Sequence, residues 1–266
     1  MIKKSCLFLS DPVHSCPFLF SPACRQCMHS AHMNSFPRNF VAKDGRVLTI
    51  DVARLEELAE VVEFRKHHFN SISPVCYLVN DRNNETIDID KRVRESTHKN
   101  LSGCEKNPIS LTMRDSTGRL VAVALNKLIE KSEADDPAGL PPAQEKPRLI
   151  VSLLDDLERG IDLFATYNTE TIFELWILSV DKTYGQLGLA TELTRLSLDL
   201  AKANNAGAVK CLAVSQYSAK AAAKNGLETI RTIDYATYEF NGDKPLANLT
   251  DLQEEHPVAR LMARRI

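Results

Sequence analysis

Nine consecutive residues, Ile172-Phe173-Glu174-Leu175-Trp176-Ile177-Leu178-Ser179-Val180, constrain this chain more than any other feature. A strand with one wet face alternates apolar and polar residues. This run is apolar almost throughout, so it belongs at the centre of a sheet covered on both faces. The turn Asp181 to Gly188 follows, and then a segment with Leu189, Leu193, Leu196 and Leu200 on one helical face. Buried strand, small-residue turn and amphipathic helix in that order place the helix start at the end of the central strand.

The rest of the chain supplies partners for that strand. Arg46 to Ile50 suits a short strand, with Asp51 to cap a helix whose apolar positions are Val52, Leu55, Leu58, Ala59 and Val62. Ser73-Pro74 forces an extended backbone, so that helix frays near Phe69. Asp88 to Asn100 reads as a polar surface helix. Ile109 to Arg114 and Leu120 to Leu128 form a hairpin across Asp115-Ser116-Thr117-Gly118. Ser132 to Pro147, with four Pro and several acids, is a long irregular connection.

Ile150, Leu153, Leu154, Leu157, Ile161 and Phe164 then recur at helical spacing despite Gly160. A strand Ala208 to Val214, a helix Ser218 to Asn225 closed by Gly226, a strand Glu228 to Phe240 and a last strand Val258 to Ile266 complete the pattern. Strands and helices alternate in the second half, giving an α/β or α+β class around one mixed sheet.

Composition bounds the function. Of 266 residues, 33 Lys and Arg face 35 Asp and Glu, a formal net charge of -2, which disfavours a general nucleic-acid binder. No apolar run reaches the roughly 20 residues of a membrane span, so neither nucleic acid nor membrane is an expected partner. The seven Cys are odd in number and four crowd into the first 27 residues. That is no extracellular disulfide framework, and a reducing, cytoplasmic setting is expected.

Residues 1–43 read as a poorly ordered tail and 44–266 as one domain. The tail has Pro spacing that breaks any period, and lacks Gly through residue 40. Its cluster Cys24, Cys27, His29 and His32 has ligand types zinc prefers, but such close spacing offers no rigid four-ligand scaffold, so no metal is expected.

The helix start after the central strand carries the chemistry. The first amides of a helix have no intrahelical acceptor and sit at the positive end of its dipole. They bind phosphate where nothing bulky blocks them, and Gly188 and Ala190 permit close approach. The spacing fits neither a Walker loop nor a dinucleotide fingerprint.

Gly185-Gln186-Leu187-Gly188-Leu189-Ala190 resembles the pyrophosphate loop of the GNAT superfamily, Gln/Arg-x-x-Gly-x-Gly/Ala, with Gly185 in place of the first Gln or Arg. Ile177 to Asp181 before it, Ser215-Gln216-Tyr217-Ser218-Ala219, Tyr235-Ala236-x-Tyr238 and Arg260 to Ile266 are similar to arylalkylamine N-acetyltransferases of the invertebrate type. The resemblance runs from about Val47 to the end.

It implies a central mixed, mostly antiparallel sheet flanked by helices, acetyl-CoA as co-substrate and a small amine as acceptor, joined by direct attack in a ternary complex. Leu178, Ser179 and Val180 would pair with the pantetheine arm. Gln186, Leu187, Gly188, Leu189, Ala190 and Thr191 would hold the pyrophosphate. Ser218 matches one of two family serines; the other falls at Val214, with Ser215 beside it, and Tyr217 is a candidate proton donor.

An alkylamine with a pKa near 10.4 is neutral in only about one molecule in 2,500 at pH 7, so a general base matters. The family's Glu before a Pro is replaced here by Ser73. The proton therefore leaves through Glu63, His67, His68 or water, or the protein is a catalytically impaired acyl-CoA binder. Trp176 and Cys211 read as core. Ser218 suits a helix start, Tyr217, Tyr235 and Tyr238 suit packing, and His67 and His68 suit a solvated helix end.

Overall fold

A computed structural model describes residues 35–70, 89–103, 108–134, 149–247 and 254–266. Among these residues eight strands, β1 (Arg38–Val41), β2 (Val47–Val52), β3 (Leu111–Arg114), β4 (Leu120–Glu130), β5 (Thr171–Val180), β6 (Ala208–Ala213), β7 (Glu228–Asp234) and β8 (Val258–Arg265), form one sheet. Their order is β1-β2-β3-β4-β5-β6-β8-β7, so β5 is central as its composition required. Every neighbouring pair is antiparallel except β5 and β6. Among the described residues seven α-helices accompany the sheet: α1 (Leu58–Arg65), α2 (Ile89–Gly103), α3 (Lys131–Ala134), α4 (Leu149–Glu158), α5 (Leu163–Tyr167), α6 (Leu189–Ala203) and α7 (Gln216–Lys224).

The two faces are covered by different helices. Leu189, Leu193, Leu196 and Leu200 of α6, each at most 1% exposed, join Ala219 and Ala222 of α7 against Ala122, Ala124, Phe173 and Val209. Fully burying a leucine contributes roughly 1.5–3 kcal/mol, so this stripe fixes α6 to one face. On the other face, Val61 and Phe64 of α1 pack on Val123, Leu125 and Ile177, and Leu153 and Leu157 of α4 pack on Ile172, Ala208 and Leu261.

Several sequence expectations shift. Arg38–Val41, read with the tail, pairs with β2 as an edge strand. Asp51 lies inside β2 rather than capping a helix, and the helical path opens with a 3-10 turn at Leu55–Glu57. The apolar stripe from Ile150 to Phe164 is two helices, because Gly160 takes φ +71° and Asp162 caps α5 by accepting from the Ala165 amide. β7 stops at Asp234, whose carboxylate accepts from the Ala236 amide and starts a turn. The zinc-like cluster, Ser73 and 135–147 of the long connection lie outside the described residues.

Candidate functional site

β5 and β6 pair through only three rungs, Ile172–Ala208, Phe173–Val209 and Glu174–Lys210. Beyond them Leu175–Val180 stays on β4 while Cys211–Ala213 stays on β8, so the strands part into a wedge. A local cause is visible. Leu125 faces Ile177 and Asn126 faces Leu175, leaving Trp176 as an extra residue in β5. Such a bulge bends its strand and sharpens the twist. Side chains change phase there: Leu175 and Leu178 both pack on the α6 side, while Trp176 and Ile177 both join the α1 cluster. The β5 edge facing the wedge carries peptide groups without a strand partner from Leu175 onward, among the described residues.

The open end of the wedge leads into the turn before α6. The Asp181 amide donates to the Val121 carbonyl, and its carboxylate accepts from the Thr183 amide at 2.9 Å and hydroxyl at 2.8 Å. Buried Tyr184 donates its phenol to Asp115 at 2.8 Å, with the Arg46 and Arg119 guanidinium groups 4.1 and 5.4 Å from its ring centre. Hydrogen bonds from Thr117 and Tyr184 hold the Asp115 carboxyl well below the usual carboxylate range. The turn is thereby anchored to the β3–β4 hairpin.

Gln186 and Gly188 take φ of +62° and +95°, and Gly188 caps α6 without a side-chain hydrogen bond. The first helical bond runs from the Glu192 amide to the Gly188 carbonyl, which leaves the amides of Leu189, Ala190 and Thr191 without intrahelical acceptors. A Cβ at Gly185 would stand 3.0 Å from the Lys182 carbonyl oxygen, so the tight turn disfavours the side chain that the loop pattern expects there.

A cation arrives from another element instead. The Lys43 amide donates to the Leu187 carbonyl at 3.3 Å, and Lys43 Cε lies 3.9 Å from where a Gly188 Cβ would be. Lys43 is exposed, and its ammonium has no ion-pair partner among the described residues.

α7 starts at the mouth of the same wedge, because it follows β6 as α6 follows β5. Ser215 Oγ accepts from the Ser218 amide at 3.2 Å, Ser218 Oγ donates to the Ser215 carbonyl at 2.9 Å, and the hydroxyls are 3.0 Å apart. Ser215 therefore caps the helix, and Ser218 ties its hydroxyl back to the cap residue. Tyr217 is 53% exposed and donates its phenol to Glu255, a bond that pushes its pKa up. Tyr235 and Tyr238 are buried and committed to the Val214 carbonyl and to Asp156.

The proposed exits for the amine proton fare unequally. Glu63 and His67 are exposed and near each other, 3.7 Å apart, with Glu63 also 3.1 Å from Lys66. His68 lies on a π-helical turn after α1, and its carbonyl accepts from buried Ser179 at 2.8 Å. Burial pushes its imidazole pKa down. Cys211 is buried as expected, with its thiol pushed up to about 12. Trp176 is only partly buried, with Lys127 Nζ 4.0 Å and Arg65 Cζ 5.1 Å from its ring centre.

Two residues that sequence reasoning passed over also stand at this wedge. Lys43 closes the stretch 1–43 that reads from sequence as tail. Glu174, the single charge in the apolar run, occupies the last paired rung at the closed vertex. Its signal was available as a carboxylate in a strand that buries both faces.

No protein-family model matches the chain. Solved structures do. An arylalkylamine N-acetyltransferase 2 from Aedes aegypti superposes with a TM-score of 0.69 at 22% identity, over 82% of this chain and 99% of its own. A mosquito arylalkylamine N-acetyltransferase-like 5b gives 0.65 at 23%, over 82% and 100%. The Drosophila melanogaster polyamine N-acetyltransferase, an enzyme that forms N-acetylagmatine, gives 0.65 at 16%, over 82% and 100%. The shared architecture is the GNAT acetyltransferase fold, in agreement with the α/β sheet class expected from the sequence.

Proposed function

We propose that this GNAT-fold chain transfers the acetyl group of acetyl-CoA to the amino group of a small amine, of the arylalkylamine or polyamine kind. The observation that carries this reading is an alignment of two unpartnered backbone surfaces. The free β5 edge and the unbonded amides opening α6 meet at the wide end of one wedge. A pantetheine arm has amides that can pair with Leu178, Ser179 and Val180 as a short strand would. Its pyrophosphate then falls on the turn and helix start from Gln186 to Thr191, beside Lys43. The thioester, at the far end of the arm, points toward the vertex.

The ammonium loses one proton, and its nitrogen bonds the thioester carbon. That nitrogen gives up a second proton as the C–S bond breaks, so that the departing thiolate takes up one proton to become the thiol and one is released in net. Ser218, Ser215 and Tyr217, at the α7 start on the β6 arm of the wedge, are the groups that would pass a proton to that sulfur. The paired hydroxyls of Ser215 and Ser218 can relay that proton, while Ser215 also caps α7. Among the described residues no helix is long and apolar enough to cross a membrane, and no group of His, Cys, Asp and Glu could hold a metal ion. A small-molecule partner in a reducing cytoplasm fits this reading, with the domain extended upstream to include β1.

The test combines acetyl-CoA titration calorimetry with thiol release in the presence of tyramine, tryptamine, agmatine or spermidine. Binding with turnover supports the enzyme. Binding without turnover across the panel supports an impaired acyl-CoA binder instead. A Lys43→Glu variant should bind acetyl-CoA about tenfold more weakly at low salt, with the difference shrinking at high salt as screening weakens exposed charge pairs. Unchanged affinity removes Lys43 from the phosphate site.

A further inference from the structure

The attacking amine needs a proton acceptor, and a carboxylate, that of Glu174, stands at the vertex of the wedge. Glu174 lies on the last rung before β5 and β6 part, two residues from the bulged Trp176. Its strand neighbours Phe173 and Leu175 face α6. Glu174 therefore projects onto the opposite face, beside Ile172 under α4 and Trp176 near α1. The α6 side is filled by its leucine stripe, so an amine attacking the thioester must come from the face where Glu174 projects.

Glu174 is only 8% exposed. Its nearest cation, Lys127 Nζ, is 3.6 Å away, while the adjacent Lys210 is directed to Glu158. A carboxylate offers about four acceptor positions, and one lysine at that distance leaves several for an incoming ammonium or water.

Resting on the acetyltransferase reading, we propose that Glu174 is the proton acceptor for the attacking amine. Its carboxylate takes one ammonium proton as the nitrogen approaches the thioester carbon, and later releases that proton to water. Lys127 and Lys210 flank it on the neighbouring strands β4 and β6. The competing view is that Glu174 only neutralises Lys127 in a half-buried ion pair. A second competitor is His68, tied through its carbonyl to Ser179 and neighboured by Asp181, His67, Arg119 and Lys182.

Glu174→Gln should lower kcat/KM for tyramine by about 100-fold or more at pH 7, with acetyl-CoA affinity and thermal midpoint retained. The deficit should shrink to less than about tenfold by pH 9, because free amine increases about tenfold per pH unit below its pKa. Glu174→Asp should recover part of the rate.

A double variant, Glu174→Gln with Lys127→Gln, removes both charges together. It should stay as slow as Glu174→Gln, whereas a purely neutralising role predicts recovery. Equal rates for Glu174→Gln and the natural chain, or a deficit independent of pH, overturn the proposal. So does a His68→Asn variant that alone shows the pH-dependent loss. A natural chain that acetylates none of the amines removes the function and this inference together. One that acetylates them with Glu174→Gln matching it removes this inference alone.

Discussion

A Gly188→Trp variant is expected to bind acetyl-CoA at least about 100-fold more weakly than the natural chain while still unfolding in one cooperative transition. A 100-fold loss corresponds to about 2.7 kcal/mol. Two effects add at this position. Gly188 holds φ +95°, a backbone state that costs an L-residue with a Cβ roughly 1–2 kcal/mol. A Cβ there would lie 3.7 Å from Phe40 Cζ, ordinary contact, so the first carbon fits but the indole beyond it must turn outward over the helix start. That is where the amides of Leu189, Ala190 and Thr191 must reach a phosphate. Gly188→Ala separates the effects, since it carries the backbone cost and a single methyl without the covering ring. Its affinity should fall less than about tenfold, with a similar loss of stability. Calorimetry against acetyl-CoA and thermal denaturation of both variants make the comparison. Normal binding by the tryptophan variant would place the diphosphate elsewhere.

The parts of the fold that could be read from sequence are those where one pattern had one structural outcome. Leucines at Leu189, Leu193, Leu196 and Leu200 admit only an amphipathic helix, and Asp115 to Gly118 between apolar runs admits a turn. The left-handed Gly226, φ +80°, ends α7 as expected. The wedge itself was hidden. A bulge announces itself as a slip in apolar–polar alternation, and Ile172–Val180 is too uniformly apolar to show a slip at Trp176. The edge strand β1 was hidden because its affinity for β2 comes from backbone pairing rather than side-chain pattern. At α7 the sequence marks Ser215 and Ser218, yet the hydrogen bonds they make at the helix start would exist with or without catalysis. Glu174 was readable as an anomaly, but its meaning depended on the rung where β6 turns away.

Asn126→Ala should lower global stability by about 2–4 kcal/mol, the largest stability effect expected of a single polar residue near the site. Asn126 is 1% exposed and lies on β4 across from the bulge. β3 leaves β4 above Leu111, which pairs with Ala124, so the Asn126 peptide must find other partners. Its amide donates to Ser110 Oγ at 3.0 Å, and its carbonyl accepts from Asn100 Nδ2 of α2 at 2.7 Å. The side-chain amide donates to the Ile109 carbonyl at 2.7 Å and to Ser197 Oγ of α6 at 3.0 Å. One residue thus joins α2, the sheet and α6. Truncation strands a buried carbonyl and weakens a buried hydroxyl's bonding, each worth roughly 1–3 kcal/mol. Part of that cost is offset because Asn126 Oδ1 is itself buried without a partner among the described residues and leaves with the side chain. At about 2–4 °C per kcal/mol for a domain of this size, the thermal midpoint should fall by roughly 4–16 °C. Ser102→Ala, which removes only an exposed bond to the His98 carbonyl on the same helix as Asn100, should move it by less than about 2 °C. Matching midpoints for the two variants would mean that the Asn126 side chain does not tie the layers together. The bulge would then be held by the β4–β5 ladder and the leucine stripe of α6 alone.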